Sequence, residues 1–150
     1  MSSIRNTILD NLKTAIEAME DSGTYEINIH RVSMFDENVL KQEPHDLPLI
    51  MLIDTGEEQL QVYDGTNYRY SWKVILRGVV STDTASGLHE ELNKMISSVK
   101  EFIDSGPSLG SNVLKFRYLE TQGNRLSEDG KIADTIIPCE IIYWCVAGAF

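Results

Sequence analysis

The sequence has few of the residues that build metal centres and disulfide frameworks, with two cysteines and three histidines among its 150 residues. Cys139 and Cys145 lie in what reads as one strand, where their separation spans about 20 Å at ~3.3 Å per residue. Because a disulfide needs Cα atoms within about 7 Å of each other, we predict that both are buried free thiols in a reducing compartment. His30, His45 and His89 have neither the i,i+4 spacing nor the nearby cysteines of a zinc site. The sequence therefore predicts no metal and no other cofactor.

Long apolar runs and basic runs are also missing. No apolar stretch approaches the roughly 20 residues that a membrane helix needs, and the first residues lead into an amphipathic pattern instead of a signal peptide's apolar block. We expect a protein made in the cytoplasm, with no membrane partner. Thirteen basic residues face 23 acidic ones and never run three in a row. The formal net charge of −10 opposes the counterion release on which DNA binding depends, so we predict no specific nucleic-acid binding.

The usual catalytic patterns are missing as well. The segment Gly106-Pro-Ser-Leu-Gly110 lacks the Lys-Ser/Thr pair and the following helix of a phosphate-binding loop. Both cysteines lie within a predicted strand, without the helix N-terminus that would lower a thiol pKa for nucleophilic chemistry. We therefore predict that the chain is not an enzyme.

One motif argues otherwise. Leu52-Ile-Asp-Thr-Gly56 resembles the active-site loop of retroviral-type aspartic proteases, in which two copies bring two carboxylates together to share a proton. That resemblance would make Asp54 catalytic, but Glu57 stands where the protease family has Ala or Ser. The other interpretation is a strand-ending turn in which Asp54 binds its own backbone and Gly56 takes a positive φ. We favour the turn and keep the protease as an alternative.

Two amphipathic helices are the clearest elements of secondary structure. Apolar residues recur at three- and four-residue steps from Ile4 to Met19, after a cap at Ser2 or Ser3 and before a stop at Gly23. A second helix runs from Leu88 to Ile103, with a cap at Thr82, Asp83 or Thr84 and an end at Ser105-Gly106-Pro107. Alternating or continuous apolar residues predict strands over 25–29, 47–53, 59–63, 68–80, 113–119 and 135–146.

These elements predict one α+β domain over residues 1–150, in the order α-β-β-β-β-α-β-β. Short turns between strands favour an antiparallel or mixed sheet of about four to six strands, with both helices packed on one face. Polar loops occupy 33–46 and 122–130. The aromatic residues Tyr68, Tyr70 and Trp72 fall on one strand face, where we predict packing and not a base-stacking platform.

Apolar residues also occur where a core does not need them. Phe35, Val39 and Leu40 lie in the loop at 33–46, and the chain ends in the apolar tail Val146-Ala-Gly-Ala-Phe150. Apolar groups on loops and termini often mark contact with another chain, so we predict that Phe35, Val39, Leu40 and Phe150 form an interface. The alternative is that each group folds back onto the domain's own core.

Taken in order, the elements resemble the tail terminator, or tail completion, proteins of tailed bacteriophages. Leu47-Pro-Leu-Ile50 is similar to the Leu-Pro-x-Ile/Val that begins the family's second strand. The long strand Trp72–Val80 leads through Thr82-Asp83 into the second helix, and Ile136–Trp144 resembles the family's closing apolar strand. The charged segment between Leu119 and Ile132 departs from the family pattern.

The resemblance implies a homo-oligomeric ring, usually a hexamer, seated on the last ring of the tail tube. Such a ring stops tube elongation and joins the tail to a head-completion or neck protein, within a virion assembled in the host cytoplasm. A cyclic ring needs two different complementary patches on each subunit, and an acidic lumen would let DNA pass without binding. The alternative within the same class is another neck, head-completion or tube component of a virion or contractile system.

Overall fold

A computed structural model describes residues 3–34, 47–63, 67–82, 87–120, 122–126 and 131–146, with the side chains of 57–63 and 122–126 excepted. The described part contains two helices and six strands in the order α-β-β-β-α-β-β-β. The α+β class and the mixed sheet are as predicted, and the order of elements matches roughly: three strands precede the second helix where four were predicted, and three follow it where two were predicted. The elements are α1 Ile4–Glu17, β1 Arg31–Ser33, β2 Leu49–Tyr63, β3 Asn67–Ser81, α2 Gly87–Asp104, β4 Val113–Tyr118, β5 Gln122–Leu126 and β6 Ile132–Val146.

The sheet is built around two long central strands. Its order is β1-β2-β3-β6-β4, with β5 also paired to β6. β3 and β6 are antiparallel and stay in register over their whole length, from Asn67 opposite Val146 to Ser81 opposite Ile132. Among the described strands, only the short edge strand β1 runs parallel to its neighbour. Because paired residues point to the same side of a sheet, this register fixes which side chains share each face.

Both helices pack on the same face of the sheet, as the sequence predicts. α1 begins at the N-cap Ser3, whose Oγ accepts a hydrogen bond from the Asn6 N–H at 3.1 Å. Each helix buries one apolar stripe against the even-numbered residues of β3. The apolar residues of each helix share one side because they recur with the helical period of 3.6 residues. Among the described residues, no helix is long and apolar enough to span a membrane. The buried helix residues include Ile8, Leu12, Ile16, Leu88, Leu92, Met95, Val99 and Phe102.

Gly78 lets α2 lie close to the sheet. A Cβ built at this position would lie 2.7 Å from the Met95 Sδ, inside the core. We expect Gly78→Ala to lower the free energy of unfolding by about 1–3 kcal/mol through overpacking. A double-mutant cycle with Met95→Ala, followed by urea denaturation, should show coupling of at least about 0.5 kcal/mol. Additive effects of the two substitutions would contradict this contact.

The predicted strand at 25–29 is wrong. Ile27 and Ile29 are buried and Asn28 between them is exposed, so the alternation of burial is as predicted. However, the segment forms no ladder: the Ile27 N–H donates to the Ser98 Oγ of α2 at 3.2 Å, and Ile29 makes a single bridge to Glu20. The Ile27 N–H thus finds its partner on α2 and the Ile29 carbonyl accepts from the Asp21 N–H just after α1, and the first strand begins only at Arg31.

β2 is one strand where two were predicted, at 47–53 and 59–63. Asp54-Thr-Gly56 forms no turn, because the strand continues through it with a bulge between Asp54 and Gly56 and a second irregularity between Gln59 and Gln61. A bulge inserts one unpaired residue without ending a strand. The start of the strand is as predicted, since Pro48 lies just before Leu49.

β5 was predicted as part of the polar loop at 122–130, so that prediction is wrong. β4 and β5 pair with successive parts of β6, and Pro138 lies where one gives way to the other. The Pro138 carbonyl accepts a hydrogen bond from the Leu119 N–H at 2.7 Å. Because the nitrogen and the carbonyl of one strand residue point to the same side, the Pro138 nitrogen also points towards β4 and β5. The missing N–H therefore falls at the junction of two partner strands, where it interrupts neither ladder.

Candidate interaction surface

The side of the sheet opposite the two helices is here called the open face. It carries the odd-numbered residues of β3 and the residues that are paired with them. Among the described residues, neither helix packs on this side, because both belong to the core on the other. The central part of the open face is formed by Arg69, Ser71, Lys73, Ile75, Arg77, Lys115, Arg117, Asp134, Ile136, Pro138, Glu140, Ile142 and Trp144.

A carboxylate lies at the centre of this face and joins three strands. Glu140 on β6 is 6% exposed. Its Oε2 accepts from the Lys73 Nζ at 2.5 Å and from the Ser71 Oγ at 2.6 Å, while its Oε1 accepts from the Arg117 Nη2 at 2.7 Å. The hydrogen bonds from Lys73, then Ser71, and also from Arg117 lower the pKa of Glu140 to about 2. The carboxylate therefore stays ionised and holds β3, β4 and β6 together.

A second buried carboxylate lies further along the same strand. Asp134 is fully buried, and the Arg77 Nε lies 3.2 Å from its Oδ2. Beyond it, an apolar cluster on this side buries Leu47, Leu49, Met51 and Val79, with Ile132 packed against them. The open face is therefore buried at the end that contains Val79 and more exposed at the end that contains Val146.

Apolar groups remain partly exposed between and beyond the ion pairs. Trp144 is 36% exposed and Val146 is 47% exposed at the end of β6. Ile75, Pro138 and Ile142 are half-buried on the middle of the face. Aromatic residues and arginine are enriched at protein–protein interfaces, and this face presents Trp144 and several arginines. We therefore take the open face as the candidate functional site.

The described side chains of the open face carry a net positive charge. They comprise six basic residues and two acidic ones, Asp134 and Glu140, which leaves a net charge of +4 in a chain of net charge −10. The sequence signal for this surface is the alternation Arg69, Ser71, Lys73 on β3. That signal could not show that β4 brings further basic side chains to the same face. The six basic residues are Arg31, Arg69, Lys73, Arg77, Lys115 and Arg117.

The interface residues predicted from the sequence cannot be compared with this surface. Phe35, Val39, Leu40 and Phe150 all lie outside the described residues. They stay predictions. The aromatic residues of β3 are placed as predicted: Trp72 is fully buried, Tyr70 is 8% exposed, and Tyr68 packs against the same core.

Asp54 lies on the helical side of the sheet and holds several groups together. Its Oδ1 accepts from the Trp72 Nε1 at 2.8 Å and from the Gly56 N–H at 3.0 Å, and its Oδ2 pairs with the Arg5 Nη2 at 2.6 Å. Gly56 has a φ of 125°, so the hydrogen bond to the backbone and the positive φ are as predicted, within a bulge and not a turn. A carboxylate paired with a guanidinium is poorly placed to share a proton with a second carboxylate, so the geometry lends no support to the protease alternative.

This arrangement predicts different effects for two substitutions of Asp54. We expect Asp54→Ala to lower the free energy of unfolding by about 1–2 kcal/mol, because it leaves the Trp72 indole N–H without its acceptor. Asp54→Asn keeps an acceptor oxygen and loses only a solvent-exposed ion pair with Arg5, worth about 0–1 kcal/mol. Urea denaturation of both variants checks the order. An Asn variant as unstable as the Ala variant would mean that the charge, not the hydrogen bond, stabilises this contact.

The histidines and cysteines form no cluster in the described part of the chain. His30 contacts Asp21 at 2.9 Å on the surface, and His89 is exposed on α2. Within the described ranges, no three of the His, Cys, Asp and Glu side chains are grouped so as to hold a metal ion. Cys139 and Cys145 are buried free thiols, as predicted. Burial raises the pKa of Cys139 to about 12, which keeps that thiol protonated and unreactive.

Comparison with known proteins gives a fold and no family. No protein-family model matches the chain, and no curated protein matches it. Its fold is similar to that of a chain from a solved assembly described as the virion of a native gene transfer agent particle. The two chains share 12% sequence identity and superpose with a TM-score of 0.53, covering 95% of this chain and 96% of the other. The two chains therefore share one fold over nearly their whole lengths.

Proposed function

We propose that this chain is a structural protein of a phage-type virion, and that within this class it is the tail terminator. In this role it forms a ring, most simply a hexamer, that sits on the last ring of the tail tube, stops elongation and joins the tail to a neck or head-completion protein. It acts by assembly and not by catalysis. DNA passes through the lumen without specific binding.

The observation that carries the proposal is the whole-length similarity to a chain of a virion particle. Neither chain has a large segment outside the match, so the resemblance involves the complete described domain and not a shared substructure. One fold serves many functions, so the surface also has to suit assembly. The open face, with apolar and charged groups side by side, suits contact with another protein.

The finer assignment, to the tail terminator, depends on the layout of the sequence. The Leu47-Pro-Leu-Ile50 start of β2, the passage from β3 into α2, and the closing strand β6 all follow the pattern of that family. A particle contains several kinds of protein, so another neck, head-completion or tube component is the second candidate. The two candidates differ in where the protein sits in the particle and in whether the purified chain polymerises.

The mass of the purified protein in solution tests the proposal. Six chains of 16.9 kDa give about 101 kDa, and we expect light scattering to approach this mass as concentration rises. Negative-stain images of the same samples should show closed rings. Open fibres would contradict the terminator and favour a tube component. A discrete dimer with proteolytic activity that Asp54→Asn abolishes would overturn the structural assignment altogether.

A further inference from the structure

Charge is distributed unequally between the two sides of the molecule. The helical layer, formed by residues 3–30 and α2, contains nine acidic and four basic side chains, a net charge of −5. Residues 18–30 belong to this layer because Met19, Ile27 and Ile29 share its core. The described side chains of the open face, on the opposite side, have a net charge of +4. One chain therefore presents two broad surfaces of opposite sign, separated by the thickness of the sheet.

We propose that the open face of one copy binds the acidic helical layer of the next copy. This inference rests on the proposed function, because it names the two surfaces through which the ring closes. The contact is heterologous, with different patches on the two partners, and repetition of such a contact gives a closed ring when the rotation between copies permits it. Opposite charges steer and orient the encounter, and the partly exposed Trp144 and Val146 supply apolar contacts at the exposed end of the face.

The size of the open face fits this role. β3 and β6 each contain 15 residues, which corresponds to roughly 45–50 Å of strand at ~3.3 Å per residue. Four neighbouring strands at ~4.8 Å spacing make the face about 15–20 Å wide. The product is of the same order as the ~800 Å² that each partner contributes to a standard protein interface. Because Leu49, Met51 and Val79 are already buried at one end of the face, a second copy of the chain can cover only the rest of it, towards Trp144 and Val146.

Duplex DNA is the other class of partner that a basic face could attract. Phosphate binding relies on cationic side chains that are available to replace counterions. Here Lys73 and Arg117 are engaged with Glu140, and Arg77 is engaged with Asp134. The surface between these pairs is apolar, at Ile75, Pro138, Ile142 and Trp144, which suits a protein partner better than a phosphate backbone.

Two variants of the full chain test the inference, each with one face altered. The sheet variant combines Lys115→Ser with Trp144→Ser, both exposed positions on the open face. The helix variant combines Glu101→Lys with Asp104→Lys, which are exposed and one turn apart on α2. The matched control for the open face is Lys115→Arg with Trp144→Tyr. Circular dichroism and urea denaturation establish first that each variant is folded.

Sedimentation velocity at about 20 mM salt, where the Debye length exceeds 20 Å, measures self-association. We expect the wild type and the conservative control to associate and each altered variant to associate at least 10-fold more weakly. An equimolar mixture of the two altered variants has one working junction, between the open face of the helix variant and the helical layer of the sheet variant. That mixture should therefore form 1:1 pairs and no rings.

Several outcomes would overturn the inference. A wild type that stays monomeric at low salt, or rings that form unchanged in both altered variants, would show that these faces do not meet. A helix variant that dimerises alone would indicate a symmetric contact between two open faces. Saturable binding of a 20-base-pair duplex that the sheet variant loses would assign the open face to DNA. Rings that cap tail tubes while both altered variants assemble normally would leave the proposed function standing and remove only this inference.

Discussion

Replacing Trp72 by Ala should lower the free energy of unfolding by about 3–5 kcal/mol, the largest loss we expect from any single substitution here. Trp72 is fully buried on β3. The Arg5 guanidinium carbon lies 4.6 Å from its ring centroid, and its indole N–H donates to Asp54. The Tyr143 ring is T-shaped to it, with 6.4 Å between the ring centroids. The substitution therefore creates a cavity and breaks the contacts that join α1, β2, β3 and β6.

The matched control is the second tryptophan of the chain. Trp144 lies on the paired strand β6 and is 36% exposed on the open face, so Trp144→Ala should cost about 1 kcal/mol. Trp72→Phe keeps most of the ring volume and removes the indole donor, for an expected loss of about 1–2 kcal/mol. If Trp72→Ala does not fold, Trp72→Phe still tests whether Trp72 stabilises the protein. Urea denaturation followed by circular dichroism measures all three, and equal losses at the two tryptophans would contradict the assignment of the two faces.

The second large effect concerns the carboxylate of Glu140 and depends on pH. Its folded pKa of about 2 lies below its ordinary value of 4.5, because Lys73, Ser71 and Arg117 bind the ionised form. The contacts of the ionised carboxylate stabilise the folded protein fully above about pH 4.5. This stabilisation is lost as the pH falls from about 4.5 to about 2, because the carboxylate then becomes protonated. Lys73 and Arg117 are nearly half exposed, with side-chain exposures of 44% and 48%. Because solvent screens these pairs, we expect a contribution of about 2 kcal/mol.

Glu140→Gln removes this titration and keeps the shape of the side chain. At pH 7 the variant should be less stable than the wild type by about 2 kcal/mol, and the difference should shrink as the pH falls towards 2. Chemical denaturation at several pH values measures the difference directly. The control Glu120→Gln removes an exposed carboxylate just after β4 and should leave the pH dependence as in the wild type. A difference that stays constant from pH 7 to pH 2 would contradict the role of the ionised carboxylate.

The helices could be predicted closely from the sequence because their periodicity is a direct consequence of their geometry. The apolar residues from Ile4 to Ile16 can share one side only in a helix, and the N-cap Ser3 stands where the pattern begins. Alternation of apolar and polar residues indicates a strand less reliably than helical periodicity indicates a helix. Ile27 and Ile29 show it without a strand, because their backbone groups find partners on α2 and beside α1.

The wrong predictions for the sheet concern features that the local sequence pattern does not determine. Asp54-Thr-Gly56 has the composition of a turn, but a bulge accommodates it inside β2. β5, with the sequence Gln122-Gly-Asn-Arg-Leu126, has no apolar alternation and becomes a strand only because β6 offers an edge beyond Pro138. The same limit applies to the open face. Strand register alone brings Arg117 of β4 and Lys73 of β3 to the two sides of Glu140.

The length of the tail tubes tests the central claim most directly. We would delete this chain from cells that assemble the particle and measure the tubes in the lysate by electron microscopy, with a plasmid copy of the chain as the control. We expect tubes of widely varying and excessive length, without attached heads, and normal length when the plasmid is present. Tubes of normal length in the absence of the chain would contradict its role in stopping elongation, and the absence of all tubes would make it a tube component instead.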